Sequence, residues 1–433
     1  MGKATRRGRS LSLGVCGWRV PLLPRALLPQ CSKCSPNRCR IAMWATSGEK
    51  LRLSALPDET VSDNGGTVPA KDVFEHLFGF EEDVRDLRCV YENIRVTNDA
   101  GDGGIIMHSQ ANGRSYTCGT FAAKREDDFA SDVARGPGTF SLVLGNGACS
   151  KDVRGIDVGA LQADPSNCGA TFQVASNFNC LEFVSDHDSA RNGVSKYIYD
   201  KTQGPAASIS CMPALVYRNY FLRHEIYFAQ YKGQLQRQLN LLCDLPLEVV
   251  NGYLQVTTHS LEALKATDMD AHFMRARVGV HSDVQVTSGL KGSDVEMCPS
   301  EHQVVHQVFT AAMDMSRLRR EMQEDPDVVG LARFLLRVAY RLTILAAIEN
   351  ADRTRNSSRA GKDKLYLTLI GGGVFGNDPA WIYEAIQENQ HLIAESGLSV
   401  VLVIYNRKRL SAELLSAFKA LTEDLHGTVT VVQ

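Results

Sequence analysis

Four clusters along this 433-residue chain combine residue types that could do chemistry. The densest is Gly371-Gly372-Gly373-Val374-Phe375-Gly376-Asn377, set between an apolar run and Asp378-Pro379. Missing Cβ atoms let such a backbone approach a phosphate, and successive N–H groups can point at it. In the second cluster, Asn177, Asn179 and Glu182 place two amides and an acid just after an apolar run, and Glu182 is a candidate general base for activating water. The third, Lys196 to Pro205, is rich in hydrogen-bonding groups, with Asp200 a candidate acid–base residue and Gln203 and the Gly204 backbone candidate pocket lining. In the fourth, Tyr217 to Phe221, Arg218 could pair with phosphate through both arms of its guanidinium, and the aromatics could stack on a base. Each cluster also has a bland reading: a tight connection, an N-cap beside a solvated helix face, a polar loop, and core packing with an ion pair.

The glycine run admits three chemical readings. Gly371-x-Gly373-x-x-Gly376 matches a dinucleotide fingerprint, and Asn406-Arg407-Lys408-Arg409 after the next strand could hold a 2′-phosphate, which would make the chain an NADP-dependent oxidoreductase. Against this, Asp378-Pro379 delays the helix until after Gly376, and too little chain follows for a second mononucleotide half. A Walker loop fails because no Gly-Lys-Ser/Thr follows. The third reading is a diphosphate-binding loop of another kind. Other constellations are weaker. Cys180 with His187, His224 or His306 is one chance pairing among eight scattered body cysteines, and His302-x-x-x-His306 lacks the glutamate of a zinc helix. Asp186-His187-Asp188 and the basic runs at 317–320 and 407–409 read as solvated loops or faces, and no metal is expected.

These clusters hang on alternating strands and helices. Phe140–Leu144, Ala170–Ala175, Val304–Phe309, Leu365–Ile370, Val400–Tyr405 and Val429–Val432 read as strands. Tyr227–Cys243, Val328–Glu349, Pro379–Ala394 and Ser411–Leu425 read as helices, the third with Asp378 as N-cap and Pro379 as first residue. Strands separated by helices predict an α/β fold, a mixed or parallel sheet flanked by helices.

Leu365–Tyr405, with its Gly-Val-Phe-Gly loop, resembles the closing part of a macrodomain, and Val304–Val308 with the helix Val328–Glu349 is similar to what precedes that loop. Thr171–Phe183, Lys196–Phe221 and Leu365–Tyr405 together resemble a family of bacterial and eukaryotic proteins carrying the same blocks, whose C-terminal part is like poly(ADP-ribose) glycohydrolases. The resemblance implies a macrodomain-like core that binds ADP-ribose, free or on a macromolecule, with hydrolysis of ADP-ribosyl bonds in many members. It implies ribose contacts at Asn177 and Asn179 and diphosphate contacts along Gly371, Gly372, Gly373, Phe375, Gly376 and Asn377. The chain departs from the glycohydrolase pattern in having no Gly-Gly-Gly after the Asn segment and no Gln-Glu-Glu. That leaves a non-catalytic nucleotide-binding module as a further alternative. No cofactor is implied.

Composition narrows the field. With 44% hydrophobic and 22% charged residues the chain is ordinary globular protein. Its net charge of −2 hides a split, because nine basic residues and no acid fall in the first 48. The rest holds 38 basic and 49 acidic residues, a net of −11 that argues against direct nucleic-acid binding. An Arg-rich, acid-free leader predicts a transit peptide over 1–48 for a mitochondrion or plastid, or a cytoplasmic protein if Met43 is the start. Pro21, Pro24, Pro29 and two arginines break its apolar letters, so no membrane span is expected. A linker is predicted over 49–70 and one large domain over 71–433. The scattered cysteines suit reduced thiols.

Overall fold

The computed structural model describes residues 66–98, 104–129, 135–147, 156–223, 233–265, 269–291 and 294–432. The predicted leader, and the linker up to residue 65, lie outside them. Within the expected linker, Thr67–Pro69 is a strand paired antiparallel with Asp294–Met297, so this part of it belongs to a sheet.

Ten strands build the main sheet: β1 Ile94–Asn98, β2 Ile105–Ser109, β3 Ser115–Lys124, β4 Thr139–Leu144, β5 Thr171–Ala175, β6 Val278–Gln285, β7 Val304–Thr310, β8 Lys364–Thr368, β9 Ser399–Ile404 and β10 Val429–Val431. Their order is β10-β4-β9-β8-β5-β7-β6-β3-β2-β1. From β10 to β7 every pair is parallel, and from β7 to β1 every pair is antiparallel. The sheet is mixed and the fold α/β. The parallel half follows from apolar runs separated by helices. A mixed sheet is among the expectations, but the individual antiparallel strands are not picked out: β1, β2, β3 and β6 carry Arg95, His108, Thr117 and His281 among their apolar residues and give a weaker pattern.

Alternation along β5 settles what covers each face. Thr171 and Gln173 point to helix α4 (Pro326–Arg353), where Asn350 and Thr343 hydrogen-bond them. Phe172 points the other way, into a cluster with Cys211 and Ala214 beside helices α2 (Gln203–Ser210) and α3 (Met212–Val216). α4 starts as its sequence dictates, with Asp325 capping the N–H groups of Asp327 and Val328 and Pro326 in the first turn. Among the described residues no helix is long and apolar enough to cross a membrane.

Two helix expectations change. The stretch expected as one helix from Pro379 is two, α5 (Pro379–Gln387) and α6 (Gln390–Glu395), because Asn389 turns its amide back onto the Ala385 carbonyl. Residues 233–243 of the predicted helix Tyr227–Cys243 form turns instead, the remainder lying outside the described residues. There Gln234 accepts from Leu239 N–H and Asn240 from Leu242 N–H, side-chain bonds that compete with a helical ladder. Leu239, Leu241 and Leu242 are buried all the same, so the apolar spacing reported burial and not helix.

Candidate functional site

Strands β5 and β8 pair only at Thr171–Leu365 and Phe172–Tyr366 and then separate. The Phe172 and Tyr366 rings stack 4.7 Å apart where they part. Two glutamines satisfy the backbone in the gap. Gln203 accepts from Ala175 N–H at 2.9 Å and donates to the Gln173 carbonyl at 2.8 Å, while the Gln173 side chain accepts from Thr368 N–H. The gap opens into a cavity of about 520 Å³ at the carboxyl ends of β5, β8 and β9. From β8 the chain moves to β9 on one side, and from β5 it moves towards β7 on the other, which is where open α/β sheets place ligands.

The glycine loop forms one wall. Buried Tyr340 of α4 donates to the Thr368 carbonyl at 2.6 Å and accepts from Ile370 N–H at 3.1 Å, fixing the exit of β8. Gly371 has φ of +70°, and a Cβ there would stand 2.5 Å from that of Ala312, so glycine is required. Asn377, 2% exposed, ties the loop together by donating to the carbonyls of Met313 and Gly371. Gly373 is exposed, and a Cβ on it would meet only Arg409 Nη1 at 3.8 Å. Among the described residues nothing accepts from the N–H groups of Gly371, Gly373, Val374 or Phe375. Gly371, Gly372, Gly373 and Phe375 line the cavity, and Gly376 and Asn377 do not. The third glycine of the apparent dinucleotide fingerprint therefore stands off the cavity, ahead of the Asp378 N-cap. Arg409 lines the cavity beside the loop, whereas Arg407 and Lys408 do not.

The opposite wall is the turn from Asn177 to Glu182. Its residues spend their polar groups on the protein. Asn177 donates to the Phe183 carbonyl, and Asn179 accepts from Leu181 N–H and donates to Gln238 at 2.8 Å. Gly252, φ +82°, comes so close that a Cβ would stand 2.6 Å from that of Asn177. Cys180 is held at φ +59°, uncommon for a residue with a side chain. Asn177 lines the cavity. Asn179, with no exposed surface, does not, so its expected ribose contact has no access.

Glu182 does line the cavity. Its N–H donates to Tyr197 Oη at 2.7 Å, and its Oε1 is buried with no hydrogen-bond partner. Burial raises its pKa well above the usual carboxylate value; the positive charge of Arg218 opposes that rise and the negative charge of Asp200 adds to it. Gly204 faces this carboxyl across so short a gap that a Cβ would lie 2.5 Å from Oε2. Asp200, half-buried at the cavity edge, accepts from Thr202 N–H at 2.8 Å. Asp200, Gln203 and Gly204 all line the cavity, but the Gln203 amide is already committed to β5.

Arg218, expected on a phosphate, has no exposed surface and stands outside the lining. It lies over the Phe309 ring at 3.9 Å and donates to the Cys180 carbonyl and Ser208 Oγ. The aromatics beside it are core as well: Tyr220 donates to buried Glu82, and Phe221 packs on Tyr91. The thiol of Cys180 is pushed up by burial, which makes it a poor nucleophile, and His306 is buried in β7 with Nδ1 accepting from Asp283 N–H. His224 lies outside the described residues. Among the described residues no group of His, Cys, Asp and Glu is placed to hold a metal ion.

Several lining residues were missed. Phe172 and Tyr366 read as core, Arg409 as a solvated charge, and Asp157, a half-buried N-cap of helix α1 (Val158–Ala163) with a raised pKa from burial, carries no signal beyond its type. Tyr253, which donates to the Phe183 carbonyl and whose ring lies 6.0 Å from that of Phe375, links the two walls.

No family model matches the chain, and no curated protein matches it. Solved structures do. The likeness is to poly(ADP-ribose) glycohydrolases. One, from Deinococcus radiodurans in complex with ADP-ribose, aligns at 19% identity over 34% of this chain and 53% of its own, with a TM-score of 0.22. The chain thus spans about half the length of that relative. The enzyme from Thermomonospora curvata aligns at 13% identity over 81% of this chain and 98% of its own, TM-score 0.36. Bound to the inhibitor ADP-HPD, it aligns at 14% identity with a TM-score of 0.37.

Proposed function

We propose that the cavity binds ADP-ribose or a close relative and hydrolyses the bond between its terminal ribose and an acceptor. The observation that carries this reading is the pairing of two walls. One offers unspent backbone N–H groups, with Arg409 beside them, and suits a diphosphate. The other holds a buried carboxyl with an unpartnered oxygen and a raised pKa, and suits proton transfer.

In this mechanism the diphosphate lies along Gly371 to Phe375, and Asn177 orients the ribose between the walls. The base lies towards Phe172 and Tyr366, where Asp157 can accept from an amine. Glu182, its pKa raised by burial, gives its proton to the acceptor oxygen as the bond to the anomeric carbon breaks. Water then bonds to that carbon, and its proton returns to the Glu182 carboxylate. Asp200 steadies the water. Asn179, Arg218, Gly376 and Asn377 support the walls without touching ligand.

Titration calorimetry of the full chain with ADP-ribose, NADP and AMP tests the binding claim. Micromolar ADP-ribose affinity that Gly373→Glu abolishes supports it, while preference for NADP would move the site to oxidoreductase chemistry. Turnover that survives unchanged in both Glu182→Gln and Asp200→Asn would refute the assigned chemistry, and binding without any turnover in the wild type would leave a nucleotide-binding module.

A further inference from the structure

Buried cations are costly and are normally paired with a carboxylate. Arg218 is the largest fully buried side chain of the described residues, yet its three hydrogen-bond partners are neutral: the Cys180 carbonyl at 3.3 Å, His281 Nδ1 at 3.1 Å and Ser208 Oγ at 3.2 Å. His281 accepts that bond because burial and the guanidinium hold its pKa well below normal and keep it neutral. Phe309 supplies a π face below the guanidinium. Arg218 itself stays charged at neutral pH, burial lowering its pKa only to about 10.

The carbonyl it grips belongs to Cys180, the residue with φ of +59° at the bend of the turn that ends in Glu182. A second grip on the same turn runs through Gln234, whose amide donates to both the Asn179 and Arg218 carbonyls. The geometry points to Arg218 as a positioning residue for Glu182: it holds the bend that presents the carboxyl and supplies the buried positive charge that the carboxylate needs when it forms. This rests on the role proposed for Glu182 above.

The other groups facing Glu182 do not substitute for it. Tyr197, from the turn Ser195–Tyr199, meets its N–H, Asp200 adds negative charge, and Tyr253 and Cys180 are neutral with pKa values raised by burial. Of the groups facing Arg218, those that raise its pKa are Cys180, Tyr197, Cys211 and Glu182, and only the last is a carboxyl. Without Arg218, a Glu182 that has given its proton would sit in a cavity with burial and Asp200 both opposing its charge.

The test follows the Glu182 carboxyl by carbon NMR as pH is raised, with the signal assigned by its loss in Glu182→Gln. Arg218→Met is expected to move the midpoint up by about one pH unit or more, a tenfold change in proton affinity, and Arg218→Lys to leave it near the wild-type value. If Arg218→Met does not fold, Arg218→Gln removes the charge while keeping a donor for the Cys180 carbonyl, and the same displacement is expected. A midpoint unchanged in a folded neutral variant overturns the inference, as does an equal displacement in Arg218→Lys. The kinetic counterpart is a kcat–pH profile displaced in the same direction with KM for the nucleotide unchanged. Because the NMR titration needs no substrate, a wild type without hydrolase activity would sink the proposed reaction and still leave the Arg218–Glu182 coupling to be decided.

Discussion

The two walls of the cavity are built on opposite principles. The glycine loop leaves N–H groups unspent and Gly373 exposed, anchored from below by Tyr340 and Asn377. The Asn177–Glu182 turn spends nearly everything: Gln234, Gly252, Arg218 and Tyr197 hold it from outside the turn, and what it leaves open is the Glu182 carboxyl. An open wall can wrap a ligand whose charge is spread along a backbone. A closed wall can hold one acid in one place against its own preference for water. Substitutions in the first should change affinity, and those in the second should change turnover or stability.

The largest effect is expected at Glu182. Glu182→Gln should lower turnover by about 10²–10⁴-fold with ADP-ribose affinity nearly kept, as single-turnover assays and calorimetry would show together. The same variant has a stability signature. A carboxyl whose folded pKa is raised binds more protons in the folded state than in the unfolded one, so stability falls as pH rises from the ordinary value of about 4.3 through the folded value. Replacing it with Gln removes that fall, and the difference in melting temperature between variant and wild type should grow from pH 4 upwards. A difference that stays flat would mean the carboxyl is solvated.

Next comes Gly373→Glu. The backbone there is ordinary and the space open, so the variant should melt like the wild type. Its carboxylate would face the bound diphosphate, and because juxtaposed like charges cost several kcal/mol, affinity should fall by roughly 100-fold or more. Asn179→Ala should do the reverse. It strands Leu181 N–H and the Gln238 side-chain oxygen, which costs about 1–3 kcal/mol in denaturant melts, with ligand affinity retained in the folded fraction. An Asn179→Ala protein of unchanged stability and lost affinity would return Asn179 to the ligand. The smallest effect belongs to Arg409→Ala. Its charge is exposed at the mouth, so the loss should stay within about 1 kcal/mol and fade at high salt.

The same contrast explains what could be read from the sequence. β8, the glycine loop and α5 were legible because their signals are local: an apolar run, consecutive glycines, then Asp378 and Pro379. Glu182, Asp200 and Gly204 were legible as polar or glycine residues in polar stretches, although Gly204 proves to lie in the first turn of α2, and all three line the cavity. What failed is partnership. A buried Asn179 or Arg218 has the same letter as a ligand-binding one, and only distant Gln238, Phe309 and His281 show which it is. The Gln173–Gln203 patch between β5 and β8 and the Tyr340 bridge depend on residues some thirty positions apart that no local pattern joins. Leu239 and Leu242 mislead in another way, being apolar and buried without a helix to carry them.

The central claim is that one cavity holds a diphosphate on its open wall and an acid on its closed wall. Calorimetric titration of the full chain and of Gly373→Glu with ADP-ribose, against NADP and AMP, tests it most directly. The account predicts micromolar ADP-ribose binding to the wild type, weaker binding of the comparators, and loss in a normally folded Gly373→Glu. A folded wild-type protein that takes up no ADP-ribose, or a Gly373→Glu variant that binds it as well as the wild type does, would contradict it.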